Sequence, residues 1–221
     1  MLFSKMPEMW DKDGERLILE RKVLENHKQY LERKKLYQSH GFDIDEERKF
    51  IFNKAEPLSG DILEVGTGKG HFALTLAKEG YKFISVDISE EEQNVARLNL
   101  RYFGLEKSVD FRIENAEKLS FEDEIFDIIF SINTIHHFKR PFKVMDEIMR
   151  VASFDGKIIM SDFTPEGFRI LDKIHASDGR IHEKAGATLN DIKEYFRSKR
   201  LKINYYKSQF QETLVAHKQI A

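Results

Sequence analysis

Residues Asp61 to Phe72 read DILEVGTGKGHF: an apolar run, three alternating glycines, then a second apolar run. Gly66, Gly68 and Gly70 let the backbone bend tightly after a strand and lie close against a ligand. Glu64, at the end of the apolar run, adds a carboxylate suited to a cationic group. Glycine-rich turns of this kind hold dinucleotides, nucleoside triphosphates or S-adenosylmethionine, so spacing has to separate the three.

Counting from Gly66, the third glycine of a dinucleotide fingerprint would fall at His71, whose side chain would block close helix-to-strand packing. A phosphate-cradling loop needs glycine, four residues, then Gly-Lys and a hydroxyl residue; Gly68-Lys69 has neither the spacing nor the hydroxyl. Asp87 ends the next apolar run, where one carboxylate can accept two ribose hydroxyls. Nicotinamide dinucleotide sites place a carboxylate similarly, so Asp87 alone does not discriminate. His136 and His137 are adjacent and cannot share the spacing of a helical metal pair; Asp162 with the histidines could recruit a metal, but no spacing argues for one and none is assigned, and one histidine can face a cavity as a base while the other packs. Asp162 ends a later strand and reads equally well as a cavity residue or a cap. The polar segment HASDGRIHEKAGAT, residues 175–188, is a candidate specificity loop carrying His175, Asp178, Arg180 and His182. Arg180 would suit an anionic acceptor.

These residues need elements to position them. Residues 14–38 read as a charged helix with Val23, Leu24, His27, Tyr30 and Leu31 on one face, and Glu46 to Ala55 as a second helix burying Phe50 and Ile51. After Gly60 strands alternate with helices. Ile62 to Val65, Phe83 to Val86, Val109 to Ile113, Phe126 to Ile132 and Lys157 to Met160 are strand-like. His71 to Glu79, a helix capped by Ser89 with Glu92, and Pro141 to Val151 lie between them. Alternation predicts right-handed crossovers and a parallel sheet covered on both faces, with ligands at the carboxyl ends of the strands. Leu201 to Tyr206 and Thr213 to Ala216 are too close for a crossover and predict a terminal antiparallel hairpin. The fold expected is α/β: a Rossmann-like, doubly wound sheet, mostly parallel with an antiparallel C-terminal strand, plus N-terminal helices. Residues 1–56 form a helical appendage or lid, and 57–221 the ligand-binding domain.

The 221 residues suffice for one domain with an appendage. The absence of cysteine excludes disulfides and thiolate chemistry. A formal net charge of -2, with both signs interleaved, gives no footprint for nucleic acid. No signal peptide or membrane-length apolar run is read, so a cytoplasmic protein is expected.

The ordered set ILEVGTGKG, FISVDIS, the segment after the third strand beginning IENAEKL, and FDIIFSINTIHHF resembles the class I S-adenosylmethionine-dependent methyltransferases, in the small-molecule branch that includes the UbiE-like enzymes. The likeness runs over roughly residues 48–165. It implies S-adenosylmethionine as cofactor. Gly66, Thr67, Gly68 and Gly70 would lie against its methionine part and ribose, Glu64 at its amino group, and Asp87 with Ile88 at the ribose hydroxyls. Asn115, Ala116 and Glu117 would lie at the adenine, where the family has an Asp-Ala pair and an asparagine oxygen can accept the same hydrogen bond. Ser131 and Asn133 would border the methyl-transfer cavity. His136 or His137 are the candidates for catalysis, and Asn133, Asp162, Arg180 and His182 those for acceptor binding.

The function expected from this resemblance is methyl transfer to a small-molecule acceptor by in-line attack on the sulfonium methyl. Alternatives are a non-catalytic, nucleoside-binding regulator, a methyltransferase acting on protein, and a nicotinamide oxidoreductase, against which His71 and the terminal hairpin argue. The fourth strand lacks the Pro-Pro-aromatic signature of base-amine methyltransferases. The N-terminal helices could cover the site or form a homodimer contact; the sequence leaves both open.

Overall fold

A computed structural model of the chain describes residues 7–177 and 186–218. In chain order its elements are α1 (Pro7–Ser39), α2 (Ile44–Ala55), β1 (Ile62–Val65), α3 (His71–Lys78), β2 (Phe83–Asp87), α4 (Glu90–Tyr102), β3 (Val109–Ile113), β4 (Phe126–Ile132), α5 (Pro141–Val151), β5 (Ala152–Phe163), α6 (Pro165–Ser177), α7 (Leu189–Ser198), β6 (Lys202–Lys207) and β7 (Gln211–His217).

One seven-stranded sheet has the order β3-β2-β1-β4-β5-β7-β6. Strands β1 to β5 pair in parallel. β7 runs antiparallel between β5 and the edge strand β6, so the terminal hairpin forms and inserts its second strand next to β5. All four residues of β1 are buried, as expected of a central parallel strand covered on both faces. Alternate residues of β4 feed opposite cores. Ile128 and Phe130 pack with Ile51, Phe72 and Leu76 under α2, α3 and α4, whereas Ile129 packs with Met145, Ile148 and Phe196 under α5 and α7. A third cluster joins Tyr37, Phe42 and Ile44 to Ile170, Leu171 and Ile174, tying the N-terminal helices to α6.

Local signals set the helix starts. Asp43 accepts from the N–H groups of Asp45 and Glu46 ahead of α2, Ser89 accepts from Glu92 ahead of α4, and Pro141 occupies the first turn of α5.

Three expectations change. On α1 the proposed apolar face splits: Val23 and Tyr30 are buried, but Leu24 is 62% and Leu31 42% exposed. The helix meets α4 along a narrow stripe at spacing seven, and the leucines lie one residue round from it. Phe50 is only partly buried and packs at the margin of its cluster. The run Lys157 to Met160 is the middle of a longer strand. Its first half pairs only at Ala152, opposite Phe126, and a register shift follows, so its polar residues concealed it.

Candidate active site

β1 and β4 are neighbours whose following helices, α3 and α5, pack on opposite faces of the sheet. A crevice therefore opens beyond their carboxyl ends. A cavity of about 820 Å³ occupies it, with the glycine turn on one wall and α1, α2 and α6 on the other.

The turn is held by its own backbone and by Asp87. The N–H groups of Gly66 and Thr67 donate to Val86 O at 2.8 and 3.2 Å. The N–H of Gly68 donates to Asp87 Oδ2 at 2.7 Å, and that of Ser89 to Oδ1 at 2.9 Å. Each carboxylate oxygen keeps a second lone pair for a ligand. Gly66 has φ +91°, and a Cβ there would stand 2.1 Å from Thr134 Cγ2. At Gly70 a Cβ would stand 2.7 Å from that of Ala96, so this glycine seats α3 against α4 and does not line the cavity.

Beneath the turn, Ser85 donates to Glu64 Oε2 at 2.5 Å and shares a 2.6 Å hydrogen bond with Thr67. Gln93 reaches Thr67 Oγ1, Ser85 O and Arg112 O from α4. Burial pushes the Glu64 carboxyl up to about 8, against the hydrogen bond from Ser85. At neutral pH it is therefore largely protonated until a cation approaches.

Toward β2 and β3 the wall carries Ile88, 71% exposed, and Asn115, Ala116 and Glu117. Asn115 Oδ1 accepts the Glu117 N–H at 2.9 Å, a local turn that fixes its oxygen. Glu117 is ion-paired with Arg140.

Across the cavity, a short helical turn at Ile135–His137 follows β4. His136, 4% exposed, places Nδ1 2.8 and 3.0 Å from the two oxygens of Asp162, 3% exposed. A carboxylate oxygen accepts, so the proton of this hydrogen bond is carried on Nδ1. The ring stands edge-on to Phe168, with centroids 5.3 Å apart. His136 lines the cavity, whereas Asp162 lies behind it.

The cavity thus brings together Glu64, Gly66, Thr67, Gly68, Asp87 and Ile88 with the 115–117 segment, Asn133, His136 and His137. Ser131, expected on the wall, is fully buried, and its Oγ bonds to Thr134 Oγ1 at 2.5 Å behind it. Thr134, its partner, lines the cavity in its place. Asp162 bonds to His136 and also accepts the Phe163 N–H at 2.9 Å. Arg180, His182 and Asp178 lie outside the described residues; His175 belongs to the last turn of α6 and lines the cavity. No group of three or more His, Asp or Glu side chains suited to a metal occurs among the described residues.

Sequence reasoning missed Arg33, Tyr37 and Arg48, and took His71 only as a spacing mismatch. All four line the cavity. His71 Nδ1 is buried without a partner; burial first, then Arg48 and Arg33, pull its ring down to about 3, so it is neutral. Arg48 was detectable: it interrupts the stripe Ile44, Ile51, Phe52 and Ala55 on the buried face of α2.

Comparison with known proteins identifies the family. A family model described as a methyltransferase domain matches residues 59–213. The methyltransferase YcgJ of Bacillus subtilis is 31% identical over 135 residues, covering 61% of this chain and 53% of that protein. A demethylmenaquinone methyltransferase of Bacteroides fragilis is 33% identical over 132 residues, covering 58% and 54%. The chain therefore spans about half the length of the curated relatives it matches. The crystal structure of an S-adenosylmethionine-dependent methyltransferase from Thermotoga maritima superposes with a TM-score of 0.64 at 20% identity, covering 89% of this chain and 99% of that one; at that identity the likeness speaks for the fold.

Proposed function

Because the chain belongs to the methyltransferase-domain family, among the class I enzymes that use S-adenosylmethionine, we propose that it is a cytoplasmic enzyme methylating a small-molecule acceptor, with His136 as base. One observation carries the reading: His136, bonded to Asp162 behind it, and the Gly66–Asp87 turn line one cavity.

The residues fit the cofactor. Asp87 offers two oxygens fixed by backbone N–H groups, suited to ribose hydroxyls. The exposed Ile88 and the 115–117 segment give a flat apolar and polar edge suited to adenine. The buried Glu64 is suited to the ammonium group, whose charge would favour its ionised form. When bound, S-adenosylmethionine supplies a methyl already activated on a sulfonium, and transfer leaves the bonding pair on sulfur. What remains for the chain is to orient the acceptor, exclude water and take one proton. His136 takes that proton at Nε2, and Asp162 holds the ring and balances the imidazolium. Both partners of the transfer would be held in the one cavity, which suits a reaction governed by positioning.

Calorimetric titration with S-adenosylmethionine and its demethylated product tests the cofactor site, with Asp87→Ala alongside and NADH as control. Saturable binding of both sulfur nucleosides, weakened about tenfold or more by the substitution, is expected, because two oxygens lose their hydroxyl partners at once. A labelled-methyl screen of small molecules then tests transfer. Binding with no transfer to any acceptor class would favour a nucleoside-sensing regulator instead.

A further inference from the structure

Among the described residues, two arginines on the cavity wall have no anion of their own. Arg48 is 8% exposed. With the Asn133 amide turned to pair with Gln211, Asn133 Oδ1 accepts from Arg48 Nη1 and Nη2 at 3.1 and 2.9 Å, while Arg48 Nε is buried with no partner. Glu47, Glu64 and Asp162 act on Arg48 electrostatically, but they bond to Ser208, Ser85 and His136 respectively. None forms an ion pair with Arg48 among the described residues. Arg33 on α1 stands 5.7 Å from the Tyr37 ring centroid and likewise has no ion pair among the described residues. Tyr37, one turn further along α1, is 6% exposed and lines the same wall.

A guanidinium buried without a counter-ion is costly, and arginine does not escape the cost by losing its proton. The unsatisfied Nε and the second unpaired arginine mark a place for an anion. The position points away from the nucleoside half of the cavity. Arg48 contacts Asn133 after β4, which in turn pairs with Gln211 on β7, on the opposite side of β1 from β2 and β3, which carry Asp87 and lead to the 115–117 segment. Phe163 and Leu171 give that end an apolar wall, and His136 faces it. Charge points the same way. A sulfonium nucleoside with its ammonium and carboxylate is a net cation, so it brings no net negative charge to balance Arg48 and Arg33.

We propose that the methyl acceptor is an anionic small molecule with an apolar body, whose carboxylate or similar oxyanion is received by Arg48 with Arg33 and Tyr37 while its nucleophilic atom lies toward His136. This rests on the methyl-transfer reading and adds its substrate class.

The test loads the full chain with S-adenosylhomocysteine and titrates it calorimetrically with benzoate and with the neutral benzamide, for wild type, Arg48→Gln and Arg33→Gln. Affinity for S-adenosylhomocysteine and for its decarboxylated analogue is measured for each. Wild type should bind benzoate about tenfold more tightly than benzamide. Arg48→Gln should erase that preference, and Arg33→Gln should reduce it, with nucleoside affinity changed less than about threefold. Arg33 is partly exposed and unpaired, so its variant keeps the test available if Arg48→Gln fails to fold. Equal binding of benzoate and benzamide by wild type would overturn the proposal. So would an Arg48→Gln loss confined to S-adenosylhomocysteine and absent for the decarboxylated analogue, which would assign the arginine to the nucleoside's own carboxylate. Failure of wild type to bind S-adenosylhomocysteine at all would instead remove the methyltransferase reading beneath it.

Discussion

Glu64 and Asp162 are both buried carboxyls at strand ends, yet their surroundings give them different work. Glu64 sits in a dry network closed by Ser85, and burial pushes its carboxyl from 4.5 to about 8. A raised acid favours the protonated native state, so its contribution to stability is full below about 4.5 and is lost as pH rises toward about 8. An ammonium group brought against it should draw the proton off. Binding of S-adenosylhomocysteine near pH 7 should therefore release most of a proton, read as a heat that changes with the ionisation enthalpy of the buffer, and Glu64→Gln should abolish that dependence. A buffer-independent heat in wild type would place the ammonium group elsewhere. Asp162, in contrast, is bound to His136 Nδ1, where its use is to fix the tautomer. Asp162→Asn can present an N–H to the same nitrogen and so allow the wrong tautomer. The expected result is a fall in kcat of about a hundredfold or more with nucleoside affinity intact. An unchanged kcat would reduce the pair to a packing device.

At the level of elements, α4 shows how a site is braced from outside. Gln93 is 1% exposed and joins its helix to the glycine turn, to β2 and to the end of β3 through one amide. Gln93→Met keeps the volume but leaves Ser85 O and Arg112 O without that donor. It should destabilise the chain by about 1–3 kcal/mol and weaken nucleoside binding, because Thr67 loses its support. Chemical denaturation with calorimetry checks both, and normal stability with normal binding would show the brace to be dispensable. Such braces were illegible in the sequence, as were Arg33 and Tyr37; Arg48 was legible but passed over, because helices were read for apolar periodicity and a polar residue on a buried face was left unweighed. What was legible came from period and punctuation. Alternating strands and helices gave the parallel sheet, the short KSQFQE connection gave the hairpin, and the glycine spacing with Asp87 gave one wall of the cavity. Ser131 was misplaced because strand alternation says which face a residue takes but not how deep it lies; Thr134, to which it bonds, stands between it and the cavity.

Taken whole, the molecule does not divide where its composition changes. Residues 1–56 read as an appendage because their charge and period differ from those of residues 57–221. Yet Ile51 and Ala55 are fully buried in the same cluster as Ile62, Phe72 and Leu76, and Lys157 Nζ on β5 donates to the carbonyls of Ala55 and Pro57 at 2.7 Å each. α2 is therefore part of the packing that supports the sheet, and with α1 it also supplies the arginine wall. A helix that only covered the site could detach without cost to the sheet; one that fills its core cannot. Ile51→Ala should accordingly cost about 3 kcal/mol and lower the midpoint of one cooperative unfolding transition, with circular dichroism and hydrogen exchange in α2 and β4 moving together. Separate loss of protection in α2, at lower denaturant than in β4, would restore the lid reading and allow the arginine wall to open and close independently of the nucleoside site.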